Sequence, residues 1–411
     1  MRSFFFSSLA SLLLLVSCAG APAIFREIGL RQSRMVDFTV EVPGSTPASA
    51  SLYIASNVNG WNPRDERFAL VRQPDGTWAG SFAFESGTEL EYKITRGIWE
   101  FVEKAEDGSE LPNRQLVVPA PAAECRIEVK VGTWRDQVEK KAEVATTVPG
   151  LEIVKGFHLA ALGVDRTLRI CLPPDYAETG RRYPVLYMHD GQNLFDAATS
   201  FAGEWKIDEA LTVLSRRDEG NGIPLAAIVV GIDNGGSERL NEYSPFVDAR
   251  SPRPRGSPYI ESIVEDLKPW IDARYRTLAG REYTWIGGSS MGGLISLYAL
   301  WSHPQTFSKA LCFSSALMFG DHAMLELIKT KGISPDIAVY LDVGSREEGL
   351  PVGDQAMVED SRNVYEALLA AGLGQASLAF VLDPKGIHNE GAWARRFPSA
   401  YEWMIHAPPG K

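Results

Sequence analysis

Two patterns of apolar residues divide the chain. Over residues 36–132 short segments alternate apolar and polar positions, as in Phe38-Thr39-Val40-Glu41-Val42, Ala50-Ser51-Leu52-Tyr53-Ile54, Gly80-Ser81-Phe82-Ala83-Phe84 and Leu90-Glu91-Tyr92-Lys93-Ile94. A period of two, broken by turn residues at regular spacing, predicts the half-buried strands of a small antiparallel β-sandwich. Pro119-Ala120-Pro121-Ala122-Ala123 interrupts the pattern, but Arg126-Ile127-Glu128-Val129-Lys130-Val131 resumes it. The charged, weakly patterned stretch 133–149 is therefore the predicted linker. From Leu151 onward the strands become continuous apolar runs: Pro184-Val185-Leu186-Tyr187-Met188, Ala226-Ala227-Ile228-Val229-Val230, Thr284-Trp285-Ile286, Ala310-Leu311-Cys312-Phe313, Ile337-Ala338-Val339-Tyr340-Leu341 and Leu378-Ala379-Phe380-Val381-Leu382. Such runs suit strands covered on both faces. With helical stretches at 259–275 and 356–371 between them, residues 150–406 are predicted as an α/β domain, a mostly parallel sheet flanked by helices.

The first residues follow neither pattern. Arg2 and the apolar run 9–16 read as the n- and h-regions of a secretory signal, too short to span a membrane. Leu15-Val16-Ser17-Cys18-Ala19 resembles a bacterial lipoprotein box. The resemblance implies a signal peptide over residues 1–18, cleavage before Cys18 and lipidation of Cys18. The expected location is the bacterial cell envelope, on the periplasmic or surface side, with the membrane reached through the lipid. An ordinary signal cleaved between residues 19 and 21 is the other reading, and it exports the protein equally.

Composition narrows the function classes. Across 411 residues, 45% hydrophobic and 23% charged content is that of a globular protein with an ample core. A formal net charge of -11 without a Lys/Arg cluster gives no footprint for nucleic acid. Beyond Cys18, Cys125, Cys171 and Cys312 allow at most one disulfide, so cysteines do not staple the fold.

The chemistry concentrates in Gly287-Gly288-Ser289-Ser290-Met291-Gly292-Gly293, where an apolar strand runs directly into the helical pattern Leu294-Ile295-Ser296-Leu297-Tyr298-Ala299-Leu300. A serine with glycine at both second neighbours at a strand-to-helix turn resembles the nucleophile elbow of α/β-hydrolases. Ser290, rather than Ser289, is the candidate nucleophile. A serine needs a base and the base an orienting acid, in the chain order Ser, acid, His in that fold. Of six histidines, His388 lies after the last strand, in Asp383-Pro384-Lys385-Gly386-Ile387-His388-Asn389-Glu390, and is the candidate base. After the preceding strand comes Asp342-Val343-Gly344-Ser345-Arg346-Glu347-Glu348, where the residues alone leave Asp342 and the two glutamates open as the acid. A Ser-His dyad without a strict acid is a further alternative. The oxyanion donors are expected to be the amide of Met291 and, from the loop Met188-His189-Asp190-Gly191-Gln192-Asn193-Leu194-Phe195, the amide of Gln192.

Taken in order, Tyr187–Phe195, Gly235-Gly236-Ser237-Glu238-Arg239 with Glu242-Tyr243, Gly288-Ser289-Ser290-Met291-Gly292-Gly293 and His388-Asn389-Glu390 with Trp393 make residues 150–406 similar to the esterase D / enterochelin esterase-like family, which includes feruloyl esterases and mycolyltransferases. The resemblance implies a serine esterase without metal or other cofactor. It places the acid three residues after a strand-end glycine, at Glu347, with Asp342 as the alternative. Trp205 and Trp393 are the candidate walls of a substrate pocket.

Asn57-Val58-Asn59-Gly60-Trp61-Asn62-Pro63, Asp75-Gly76-Thr77-Trp78, Arg96-Gly97-Ile98-Trp99-Glu100 and Pro112-Asn113-Arg114 resemble starch/glycogen-binding β-sandwich modules. That resemblance implies Trp61 and Trp99 as exposed platforms for sugar rings. The function expected is an exported serine carboxylesterase acting on an ester of a carbohydrate or similar extracellular compound. The rivals are an enterochelin-type siderophore lactone esterase and a non-catalytic glycan-binding surface lipoprotein. The oligomeric state is left open.

Overall fold

The structure is a computed structural model that describes residues 33–108, 111–119, 125–138, 148–200, 203–218, 220, 222–347 and 353–408. Cys18 and the signal segment lie outside the described residues, as does Glu348.

The N-terminal alternation becomes strands Ser33–Glu41, Leu52–Ser56, Ala69–Arg72, Trp78–Glu85, Glu89–Thr95, Arg114–Val117 and Arg126–Lys130, joined in one seven-stranded sheet. Ser33–Glu41 alternates perfectly between exposed and buried positions, and Val36, Phe38 and Val40 face the core. Ala69–Arg72 pairs with both Leu52–Ser56 and Trp78–Glu85. The two halves of the sheet thereby enclose one cluster that includes Leu52, Ile54, Leu90 and Ile94. The pairings are antiparallel except that of Ser33–Glu41 with Arg126–Lys130, which is parallel. A separate two-stranded ladder pairs Glu103–Lys104 with Thr133–Trp134. Trp134, which the sequence pattern put in the linker, is fully buried in the N-terminal core, its Nε1 donating to Thr46 Oγ1 at 2.8 Å. The charges around it masked a buried anchor.

The second sheet has eight strands: β1 (Leu151–Leu159), β2 (Val164–Cys171), β3 (Val185–His189), β4 (Ile228–Ile232), β5 (Thr284–Ser289), β6 (Lys309–Phe313), β7 (Ala338–Gly344) and β8 (Leu378–Asp383). Their spatial order is β1-β2-β4-β3-β5-β6-β7-β8. From β4 to β8 all neighbours are parallel, and β3 to β7 are buried along their whole length, as continuous apolar runs require. The antiparallel hairpin β1–β2 is not announced by such a run. It is an edge with many exposed positions and a register shift between Val154 and Phe157. Helices α1 (Ile207–Ser215), α2 (Met291–Ser302), α3 (Phe319–Lys331), α4 (Gly353–Ala370) and α5 (Glu390–His406) supply the crossovers and cover. The predicted helix at 259–275 runs through Gly256–Ser262, a π-turn at Ile263–Leu267 and Lys268–Arg274. No helix among the described residues is long and apolar enough to cross a membrane.

One buried cation fixes the last helix. Lys309 of β6 donates to the carbonyls of Met404 and Ala407, each at 2.7 Å, where the C-terminal turn of α5 has carbonyls to satisfy. The three cysteines Cys125, Cys171 and Cys312 are free and buried.

Candidate active site

β5 ends at Ser289, and the next residue takes φ 55°, ψ -120° before α2 begins at Met291. A serine held there is strained by about 1–3 kcal/mol, so the surroundings must impose the conformation. They do so with backbone bonds: Ser290 N–H donates to Phe313 O at 2.9 Å, and its carbonyl accepts from Ala316 at 3.0 Å and Gly293 at 3.1 Å. The flanking glycines have a steric reason. A Cβ on Gly288 would lie 3.0 Å from both the carbonyl carbon of Gly292 and Cδ2 of His189.

His388 sits in the turn between β8 and α5, immediately before Asn389, whose side chain caps α5 by accepting from Ala392 N at 2.9 Å. Its Nδ1 is 2.7 Å from Oε2 of Glu347, which is fully buried. With Nδ1 on the carboxylate, Nε2 is the nitrogen left to take a proton. The two loops meet backbone to backbone: Ser345 N–H donates to Asp383 O at 2.8 Å and Arg346 N–H to Gly386 O at 3.0 Å. A Cβ on Gly344 would lie 2.4 Å from Gly386 O, so this approach needs glycine. Burial pushes the Glu347 carboxyl up, but hydrogen bonds from His388, Ser314 Oγ and the Gly344 amide, with the imidazole charge, hold it below the usual range. Among the described residues no hydrogen bond joins Ser290 to His388.

The structure thus brings Glu347, not Asp342, to His388. Asp342 is equally buried but faces the other way: its Oδ1 accepts from Ser314 N–H at 3.3 Å and its Oδ2 is 3.1 Å from Arg396 Nε, an ion contact without hydrogen-bond alignment. Burial raises Asp342 to about 7 despite that cation.

The other loop follows β3. Asp190 takes φ 56° and leads into the single turn Gly191–Asn193. Its carboxylate receives Arg239 Nε at 2.6 Å and Nη2 at 2.8 Å, with Asn234 Nδ2 at 2.7 Å. Gln192 Oε1 accepts from Asn234 N at 3.2 Å, and Asn193 Nδ2 donates to the buried Glu390 at 3.1 Å. Among the described residues the amides of Gln192 and Met291 donate to no other group, which leaves both for an oxyanion. His189 is no base: burial pushes it down to about 3, and its Nδ1 is bonded to Tyr259 Oη at 2.9 Å.

Of the two tryptophans expected as pocket walls, one reaches the site and the other does not. Trp205 is 2% exposed, packed edge-on to Phe313 at 5.1 Å and against Trp393 at 5.6 Å, so it is core and opens no face to a pocket. Trp393 is also buried, but it touches the site, with its ring edge-on to His388 at 5.1 Å and its Nε1 donating to Ser314 Oγ at 3.0 Å. In the N-terminal unit Trp61 is 7% exposed and packs 6.3 Å from the half-buried Trp99. An exposed platform at Trp61 is therefore corrected by its burial. The aromatic pattern marks core and platform alike, and only packing separates them.

Sequence reasoning quoted Arg239 and Glu390 within its motifs without giving them a role and missed Ser314 and Arg396; all four are in contact with the candidate site. Of the two that were missed, Ser314 had no signal beyond its place after a strand, and Arg396 had none. A carboxylate group was missed too: Glu204, Asp208 and Glu209 place oxygens within 4.8 Å of one another, a set that could hold a cation. Burial, with the charge of Glu209, pushes Asp208 up to about 7.

Residues 160–404 match the family model described as "Putative esterase". Esterase Rv1288 of Mycobacterium tuberculosis is 31% identical over 205 residues, 49% of this chain and 40% of the relative. An alpha-amylase of Niallia circulans is 39% identical over 109 residues, 26% of this chain and 8% of the relative. The chain thus spans less than half the length of either. The crystal structure of the enterobactin esterase FES from Shigella flexneri, 15% identical, superposes with a TM-score of 0.51 over 86% of this chain and 87% of that one, a likeness of fold. With its family match extending over more than half of its length, the chain belongs to this esterase family.

Proposed function

We propose that Ser290, His388 and Glu347 are the triad of a serine esterase. The observation that carries the reading is the 2.7 Å contact of Glu347 with His388 Nδ1, together with a serine strained at the strand-to-helix turn. Ser290 Oγ attacks the ester carbonyl while His388 Nε2 takes its proton. The oxyanion forms against the amides of Met291 and Gln192, and the N-terminal end of α2 favours the negative charge. His388 then gives the proton to the departing alkoxide. A water, deprotonated by the same nitrogen, releases the acid and restores Ser290. Glu347 keeps one tautomer of His388 and stabilises the imidazolium.

The substrate we propose is an ester borne by a carbohydrate or similar extracellular compound. The lipoprotein-box resemblance around Cys18 and the 109-residue likeness to an alpha-amylase support it. The second reading, hydrolysis of a siderophore trilactone, draws on the fold shared with the enterobactin esterase over most of both chains. Trp99 is the remaining candidate platform for a glycan, since Trp61 is buried.

The test is turnover of a short-chain aryl ester by the wild type and Ser290→Ala. The expected loss is at least about 10³-fold with an unchanged melting temperature. Undiminished turnover rejects the triad. Wild-type kcat/KM on an acetylated or feruloylated sugar against a trilactone separates the two substrate readings.

A further inference from the structure

Ser314 has no place in the reaction just described, yet three side chains of the site converge on its hydroxyl. It follows β6 at φ 39°, is fully buried, and its predecessor Phe313 supplies the carbonyl that holds Ser290 N–H. Its Oγ lies 2.7 Å from Glu347 Oε1, 3.0 Å from Trp393 Nε1 and 2.8 Å from Arg396 Nη2. An indole N–H and a guanidinium only donate, so they occupy the acceptor side of the hydroxyl. The single proton of Ser314 therefore has one direction open, toward Glu347. An acid that accepts His388 on one oxygen and the Ser314 hydroxyl and Gly344 amide on the other is held as the carboxylate.

From this geometry we infer that Ser314 is a positioning residue of the triad, orienting Glu347 behind His388 and weakening its hold on a proton; the inference rests on the triad reading above. The Arg396 charge polarises the hydroxyl that it donates to, which makes Ser314 a stronger donor to Glu347. Trp393 ties the same oxygen to the ring that packs against His388, so one atom fixes the acid and a wall of the base. The charged and titratable groups around the pair are Asp342 from β7, Asp383 from the end of β8, Arg396 from α5 and the exposed Arg346 beside Glu347. Arg396 lies 3.6 Å from Asp383 and 3.1 Å from Asp342, so its charge is shared and the hydroxyl is its link to Glu347.

Removing the hydroxyl concentrates charge on Glu347. A less hydrogen-bonded carboxylate accepts more strongly from the imidazolium, so the protonated His388–Glu347 pair is favoured and the acid limb of the rate profile moves to higher pH. This sign separates an electrostatic positioning role from a packing role, which lowers kcat without moving the limb.

The experiment is the pH dependence of kcat and KM for a short-chain aryl ester with the full-length protein, its Ser314→Ala and Ser314→Thr variants, and Glu347→Gln. For Ser314→Ala we expect kcat lower by about 10–100-fold, KM within about twofold of wild type, and the acid limb raised by about one pH unit. Ser314→Thr, which keeps the hydroxyl, is expected to keep the wild-type limb. If Ser314→Ala does not fold, Ser314→Cys, a weaker donor of similar size, is expected to show a smaller shift of the same sign. An unmoved limb in the folded variant overturns the inference, provided Glu347→Gln is inactive. If Glu347→Gln is as active as wild type, the triad reading has failed and the inference falls with it.

Discussion

Each of the two units buries a glutamate completely, and the partners chosen for them differ. In the N-terminal unit Glu103 receives Arg114 through Nε at 3.1 Å and Nη2 at 2.8 Å, and its Oε1 also accepts from Ile94 N at 2.8 Å. In the C-terminal unit Glu347 receives His388, Ser314 and Gly344. An arginine stays charged at any working pH, so Glu103 sits in a fixed ion pair that joins strands. In the proposed triad the histidine changes charge as it accepts and returns a proton, so Glu347 would face a partner whose state the reaction alters. Burial alone does not distinguish a structural carboxylate from a functional one; the titration of its partner does.

The largest expected effect separates the two glutamates. Glu347→Gln is expected to lower kcat/KM by about 10³–10⁴-fold while the protein stays folded, because the amide favours the wrong imidazole tautomer. Glu103→Gln is expected to leave kcat/KM within about twofold and to cost about 3 kcal/mol of stability, the low end for a broken buried pair because Arg114 keeps 27% of its side chain exposed. Ester turnover and urea melts on both variants check the pair. An inactive Glu103→Gln that remains folded breaks the comparison.

A smaller effect concerns Asp342, the carboxylate beside Glu347 that does not reach His388. Burial raises it from 3.8 to about 7, so the native state keeps a proton that the unfolded chain releases above 3.8. Its contribution to stability is therefore greatest at low pH and is lost as pH rises through about 7. Asp342→Asn is expected to flatten the fall in unfolding free energy between pH 5 and pH 7.5 by about 1–2 kcal/mol, a value reduced for the shared Arg396 charge. Part of the slope is expected to remain, because burial also raises Glu390 to about 7. An unchanged slope means that Asp342 is ionised in the native protein.

The sheet was legible because β3 to β8 are apolar runs, and their order along the chain carries the order of the site's loops. Ser290 and His388 were legible from their place at strand ends. The choice of Glu347 over Asp342 needed the resemblance, since both lie in one loop and only the turn after Gly344 decides which carboxylate meets the histidine. Ser314 and Arg396 were not legible: a serine after a strand and an arginine on an amphipathic helix are commonplace, and their meaning is a three-dimensional convergence. Trp61, expected as an exposed platform, Trp134, placed in the linker, and Trp205, offered as a pocket wall, show the reverse failure, since their burial is visible only from packing.

The proposed reaction depends first on Ser290 as the nucleophile. Incubation of the wild type with a fluorophosphonate, followed by peptide mapping by mass spectrometry, tests it most directly. The expected result is a single adduct on Ser290, absent after Ser290→Ala. An adduct on Ser289 or Ser314, or none on an enzyme that turns over ester, contradicts it.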